Sequence, residues 1–198
     1  MKRTFFCILL IICVTAIGFA EKKNCISLGG AVGNYFMMEN EIEYANNTSL
    51  AGLGLSFYSL FYKNKIGVFF NFNYLFLDIT KERYSYTDQL GVTFGIAFSH
   101  AFNEKLRIYC GAGPDISLFL DIYEYSYLDR LIIGLGIGGD VGLRYLFNKS
   151  VSINIGVMAS FHFFGFGYYE AIPYSIYGWI RDYYLFGIKP YIGIGFNF

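Results

Sequence analysis

The chain has 198 residues, which favours one domain, and it is 21% aromatic but only 15% charged, with 23 Gly and 3 Pro. Charged residues make up about a quarter of an ordinary soluble domain, so the composition argues against one, and its apolar content excludes disorder. Basic and acidic residues balance at 15 each, which suggests neither a nucleic-acid partner nor polybasic attachment to a membrane surface.

At the amino end, Lys2 and Arg3 precede an apolar run from Phe5 to Phe19, and Gly18-Phe19-Ala20 supplies small residues for cleavage. Residues 1–20 therefore read as a secretory signal peptide, with 21–198 as the mature domain. Without Lys2 and Arg3 the mature chain has 13 basic against 15 acidic residues, a net charge of about −2. Cys7 and Cys13 leave with the signal, and Leu10-Ile11-Ile12 ahead of Cys13 lacks the small residues of a lipoprotein cleavage box, so no lipid anchor is expected. Cys25 and Cys110 remain, on opposite parities of their segments, which argues against a disulfide between them.

Eight segments then carry strand patterning: 24–38, 49–62, 66–78, 88–102, 106–121, 131–147, 151–166 and 183–198. Short polar connections at 63–65, 103–105 and 148–150 alternate with longer ones at 39–48, 79–87, 122–130 and 167–182. The last of these is long enough to hold a hairpin of its own.

Within the segments, one parity is apolar and the other is small or polar, as a strand with two different faces requires. Segment four sets Leu90, Val92, Phe94, Ile96 and Phe98 against Gly91, Thr93, Gly95, Ala97 and Ser99. Segment six sets Ile133, Leu135, Ile137, Val141 and Leu143 against Gly134, Gly136, Gly138, Asp140, Gly142 and Arg144. Away from segment ends the only charges are Arg107, Asp115, Asp140, Arg144 and Lys189, and all five fall on the Gly/polar parity. A soluble barrel would put its charges outside. A charged side chain facing lipid costs roughly 2–4 kcal/mol at the bilayer midplane, so the charge-free face is the one a bilayer demands. No mature segment offers about 20 unbroken apolar residues, which disfavours a helical membrane protein. Only closure satisfies every backbone group of a sheet in lipid, so the last strand must pair with the first. Pro114 and Pro190 fall on the apolar parity and predict a bulge or a missing ladder hydrogen bond. Aromatics gather at both ends, with Phe61, Phe102, Tyr145, Phe147, Phe196 and Phe198 at the turn end. Phe36, Tyr74, Phe76, Phe161, Phe163, Tyr184 and Phe186 gather at the loop end, so the two sets form interfacial belts.

The closing segment ends in Phe198, with Phe196, Ile194 and Ile192 at alternate positions before it. This ending resembles the last strand of bacterial outer-membrane β-barrels, whose terminal aromatic is read by the barrel-assembly machinery. The whole mature chain is similar to the small eight-stranded barrels of the OmpX, OmpA-transmembrane and OmpW kind. The resemblance implies an all-β, closed, up-and-down antiparallel barrel in an outer membrane, in contact with its lipids and with the assembly machinery during insertion. It implies a monomer without cofactor or metal, and it carries over no functional residue.

Three groups of residues are candidates for function. Arg107, Asp115, Asp140, Arg144 and Lys189 form a charged set in the lumen, either as a plug of paired charges or as the lining of a conduction path. Ser160 and His162 share the inward face near the loop end, and outer-membrane lipid-A hydrolases and acyltransferases use such a pair. Same-face neighbours on a strand lie about 7 Å apart, however, too far for a nucleophile and its base without a favourable rotamer. An enzyme is therefore not expected. Tyr168, Tyr169, Tyr174, Tyr177 and Trp179 in the longest connection are candidate contacts for an extracellular ligand or host surface, since Tyr and Trp supply contact area at low entropic cost. The leading expectation is a structural or interaction barrel displaying four Tyr-rich loops. The alternative is a small channel or a conduit for apolar solutes.

Overall fold

The computed structural model describes residues 23–38, 47–62, 65–79, 88–122, 128–171, 174–180 and 184–198. The expected signal peptide and most of the loop-end connections lie outside these residues.

The described residues form nine strands: β1 Lys23–Met38, β2 Asn47–Tyr62, β3 Ile66–Asp78, β4 Asp88–Ala101, β5 Leu106–Ile122, β6 Leu128–Leu146, β7 Val151–Ala171, β8 Tyr174–Ile180 and β9 Tyr184–Asn197. Strands β1 to β7 pair in sequence, each antiparallel to the next. The lower half of β7, from Val151 to His162, pairs with β9, and β9 pairs with β1, so eight strands close a barrel. The ninth, β8, continues the upper half of β7 as a hairpin running from Gly165↔Ile180 to Ala171↔Tyr174. The connection expected over 167–182 is thus largely strand, because its β-branched and aromatic residues suit a pleated surface.

Two of the turns at the lower end share a device. The Asn103 side-chain oxygen accepts from the backbone N–H groups of Lys105 (2.9 Å) and Leu106 (2.7 Å). Asn148 does the same for Ser150 and Val151, both at 2.8 Å. Each Asn replaces a missing ladder bond with a local one, which is why a short polar triplet can reverse the chain.

The two prolines open the ladder on one side only. Thr93↔Asp115 is followed by Ile96↔Ala112, so the pairs opposite Pro114 are lost without a change of register. Ala31↔Tyr191 is followed by Asn34↔Ile188, so the same happens at Pro190. Both prolines keep their pairing on the other flank, with Ile137 and Val157. Beside Pro114 the strands approach so closely that a Cβ on Gly95 would lie 2.1 Å from the Ala112 carbonyl oxygen. Only glycine fits there.

Two bulges also mark the loop end. Leu135 pairs with Phe164 but Gly136 pairs with His162, leaving Phe163 as an extra residue in β7. Phe163 and Phe164 are consequently both exposed, and the inward parity changes from His162 below the bulge to Gly165 above it. A second shift, between Ala51 and Gly52, skips Phe76 in β3.

Candidate functional site in the barrel lumen

The outward rows are apolar and exposed, from Leu53, Ile96 and Ile137 to Ile192, Ile194 and Phe196. Aromatic pairs ring both ends: Phe36 stacks with Phe186 and Phe161 with Tyr184 above, and Tyr145 meets Phe147 edge-on below. The candidate assembly-signal residues Ile192, Ile194, Phe196 and Phe198 all lie on this lipid-type face. His100 is exposed near a lower turn, edge-on to Phe102. Cys25 is buried, Cys110 is half-buried, and neither is in a disulfide.

The inward rows fill the bore at two levels. At the lower level Asp140 of β6 accepts three hydrogen bonds: from Tyr58 of β2, from Asn71 of β3 at 3.0 Å and from Tyr191 of β9 at 2.8 Å. Because the Tyr191 proton is committed to Asp140, the Tyr109 hydroxyl of β5 is the donor in its 2.6 Å bond to Tyr191. Glycines make this crossing possible. A Cβ on Gly142 would sit 2.5 Å from the Tyr109 hydroxyl, and one on Gly156 would sit 2.6 Å from that of Tyr191. The Arg144 guanidinium lies over the rings of Tyr58 (5.7 Å) and Tyr109 (5.2 Å), and its Nε donates to Asn154 at 3.1 Å.

The upper level is centred on Asp115 of β5. It accepts from Thr93 of β4, from Ser117 at 3.0 Å and from His162 Nε2 of β7 at 2.6 Å. Gln89 in turn donates to Ser117 at 3.1 Å. Asp115, Gly136 and His162 occupy one row across three strands, and glycine at 136 lets the β7 backbone come so close that a Cβ there would lie 2.6 Å from the His162 Cα. The carboxylate accepts, so His162 is held as the Nε2–H donor, with its ring edge-on to Phe119. Its Nδ1, the Ser160 hydroxyl and the Lys189 ammonium are buried without a hydrogen-bond partner. Lys189 is 1% exposed, with Nζ 5.9 Å from the Tyr35 ring centroid.

The five lumen charges are therefore not paired with one another. The only ion pair among the described residues is Asp115–His162, and most of the compensation comes from hydroxyl and amide groups. Sequence reasoning separated Asp115 from His162 and did not single out Asn71, Thr93, Ser117 or Asn154, whereas the inward glycines do suggest that Tyr58, Tyr109 and Tyr191 fold across the lumen. The available signal was that all of them share the inward parity. Ser160 faces Gly187 across the β7–β9 ladder, and no hydrogen bond joins it to His162. Tyr168, Tyr169, Tyr174, Tyr177 and Trp179 lie on the backbone of the β7–β8 hairpin, and their side chains fall outside the described residues.

No protein-family model matches the chain, and no curated protein is similar to it. Solved structures are. The outer membrane protein OprG of Pseudomonas aeruginosa superposes with a TM-score of 0.59 at 17% identity, covering 89% of this chain and 95% of that one. Neisserial surface protein A does so with a TM-score of 0.58 at 9% identity, covering 87% and 97%. A major outer membrane protein from Thermus thermophilus gives a TM-score of 0.53 at 9% identity, covering 87% and 99%. At such identities the likeness concerns the fold, and it agrees with the strand count, the closure and the charge-free exterior: the chain folds as a small, closed, eight-stranded antiparallel barrel of the outer-membrane type.

Proposed function

We propose that the chain is an integral outer-membrane barrel with a structural or interaction role, exerted through its loop-end connections and the β7–β8 hairpin. The observation that carries this reading is the lower lumen level, where hydrogen bonds from Tyr58, Asn71 and Tyr191 converge on Asp140 and tie β2, β3, β6 and β9 across the bore. A conduction path would have to break these bonds. The shared fold of OprG and the Thermus protein, both outer membrane proteins by description, supports the same membrane here. No catalysis is assigned, because Ser160 and His162 are buried and no hydrogen bond joins one to the other. The refolded chain in a planar bilayer is expected to be electrically silent, as is Asp140→Asn. Discrete steps whose size changes with Asp140→Asn would overturn the reading. Replacing 167–182 with a short turn is expected to leave the barrel folded and to abolish binding to host-cell surfaces.

A second reading, a lateral conduit for apolar solutes, is favoured by the ladder interruptions at Pro114 and Pro190. It requires that Pro114→Val, which restores a ladder donor, slows apolar-solute uptake into liposomes carrying the protein. An unchanged rate removes it.

A further inference from the structure

We propose that the turn-end mouth of the barrel is a binding site for a phosphate-type oxyanion. Below Asp140 the lumen widens into a cavity of about 510 Å³, lined by Lys105, Arg107, Arg144 and Lys149, with Glu104 the one acidic side chain in its wall. Four cations thus face the Glu104 side chain and the main-chain carboxylate of Phe198, an excess of positive charge. None of the four is in an ion pair among the described residues.

Arg107 and Arg144 stand directly opposite each other in the β5–β6 ladder. Like charges at such positions repel, and no neighbouring acid separates these two. Asp140, on the same face of β6, has its oxygens engaged by Tyr58, Asn71 and Tyr191. Arg144 is 6% exposed and held at Nε by Asn154, which fixes the guanidinium plane. The Nε of Arg107 is buried with no protein acceptor. Two adjacent guanidiniums, one fixed in orientation and one with an orphan donor, form a fork matched to the several oxygens of a phosphate. Lys105 and Lys149 belong to two of the tight turns at the rim and add charge that draws an anion in. The cavity exceeds the size of a bare phosphate, and Leu146 and Phe147 give it an apolar wall, so the phosphate can carry an organic substituent. A soluble phosphate ester and the headgroup of a phospholipid at that end of the barrel share this chemistry.

The test uses the refolded mature chain in neutral detergent, titrated with inorganic phosphate by calorimetry at ionic strength matched with chloride. Saturable one-site binding is expected. Arg107→Gln is expected to weaken it roughly tenfold, the loss of one charge-assisted hydrogen bond, and Arg107→Lys by less. Lys149→Gln, a change at an exposed side chain, is expected to weaken it several-fold and keeps the test valid if the Arg107 variants fail to fold. Absence of saturable binding, or affinities equal in wild type, Arg107→Gln and Lys149→Gln, would overturn the proposal. Repeating the titration in phosphatidylglycerol nanodiscs separates the sources: a response suppressed relative to detergent means that lipid headgroups occupy the mouth, and an undiminished response means a soluble ligand.

Discussion

The two levels of the lumen use similar residues to opposite effect. Around Asp140, three donors from three other strands converge on one carboxylate, and Tyr109 extends the chain to a fifth strand. Around Asp115 the acceptor is equally well served, yet His162 Nδ1, Ser160 Oγ and Lys189 Nζ nearby have no partner. The lower level has orphans of its own in Asn71 Oδ1 and Asn154 Nδ2, but its carboxylate gathers donors from three other strands against two for Asp115. The better connected buried network is the more rigid, and each orphan adds a desolvation cost. The lower level therefore acts as the structural plug. The upper level tolerates change, and it lies next to the loop end, where the bulge at Phe163 has already altered the sheet.

The sharpest way to break this contrast is Asp140→Ala. It strands the Tyr58 and Tyr191 hydroxyls and the Asn71 amide in a buried site, for an expected loss of about 3–5 kcal/mol. Urea unfolding in micelles, followed by the mobility difference between heated and unheated protein on gels, measures it. Asp140→Asn keeps one acceptor oxygen and is expected to lose clearly less. Equal losses for both variants would mean that charge, and not hydrogen-bond count, holds the lower level together.

Gly136→Ala tests the upper level through the backbone. A Cβ there would lie 1.9 Å from the Phe161 carbonyl oxygen and 2.6 Å from the His162 Cα, so β6 and β7 must separate. The expected cost is about 1–3 kcal/mol by the same unfolding measurement, the range for forcing atoms into a packed site. The Asp115–His162 bond, at 2.6 Å, stretches with it. His162→Phe alone, which leaves Asp115 its Thr93 and Ser117 donors, is expected to cost less than Gly136→Ala.

Sequence parity already separated Asp140 and Arg144 from Ile137 and Val141, because lipid and lumen impose opposite chemistries on alternate residues of one strand. Parity does not say which inward residues meet. Tyr58 and Asp140 are 82 positions apart, and Asp115 and His162 are 47 apart. Their encounters depend on the register of several ladders, on barrel tilt and on which glycines remove the side chain between them. The bulge at Phe163 shows the limit most clearly, because a strict period of two runs through Phe163 and Phe164 without detecting that both face outward. The β8 hairpin was allowed by the length of 167–182 and left open for a related reason: Tyr, Trp and Ile suit a strand and an exposed rim equally well.

Lys189→Met gives the smallest expected effect and separates the two levels most finely. The ammonium is buried and makes no hydrogen bond, so its desolvation is offset only by the Tyr35 ring at 5.9 Å and by attraction to the Asp115 carboxylate. Methionine fills a similar volume without that desolvation, and Asp115 keeps its bonds from His162, Thr93 and Ser117. Stability is expected to stay within about 1 kcal/mol of wild type or to rise, since replacing a poorly compensated buried charge by an apolar group is often neutral or stabilising. A loss approaching that of Asp140→Ala would make Lys189 the indispensable counter-charge of Asp115. The upper level would then be as rigidly specified as the lower, held by an unscreened charge in place of converging donors.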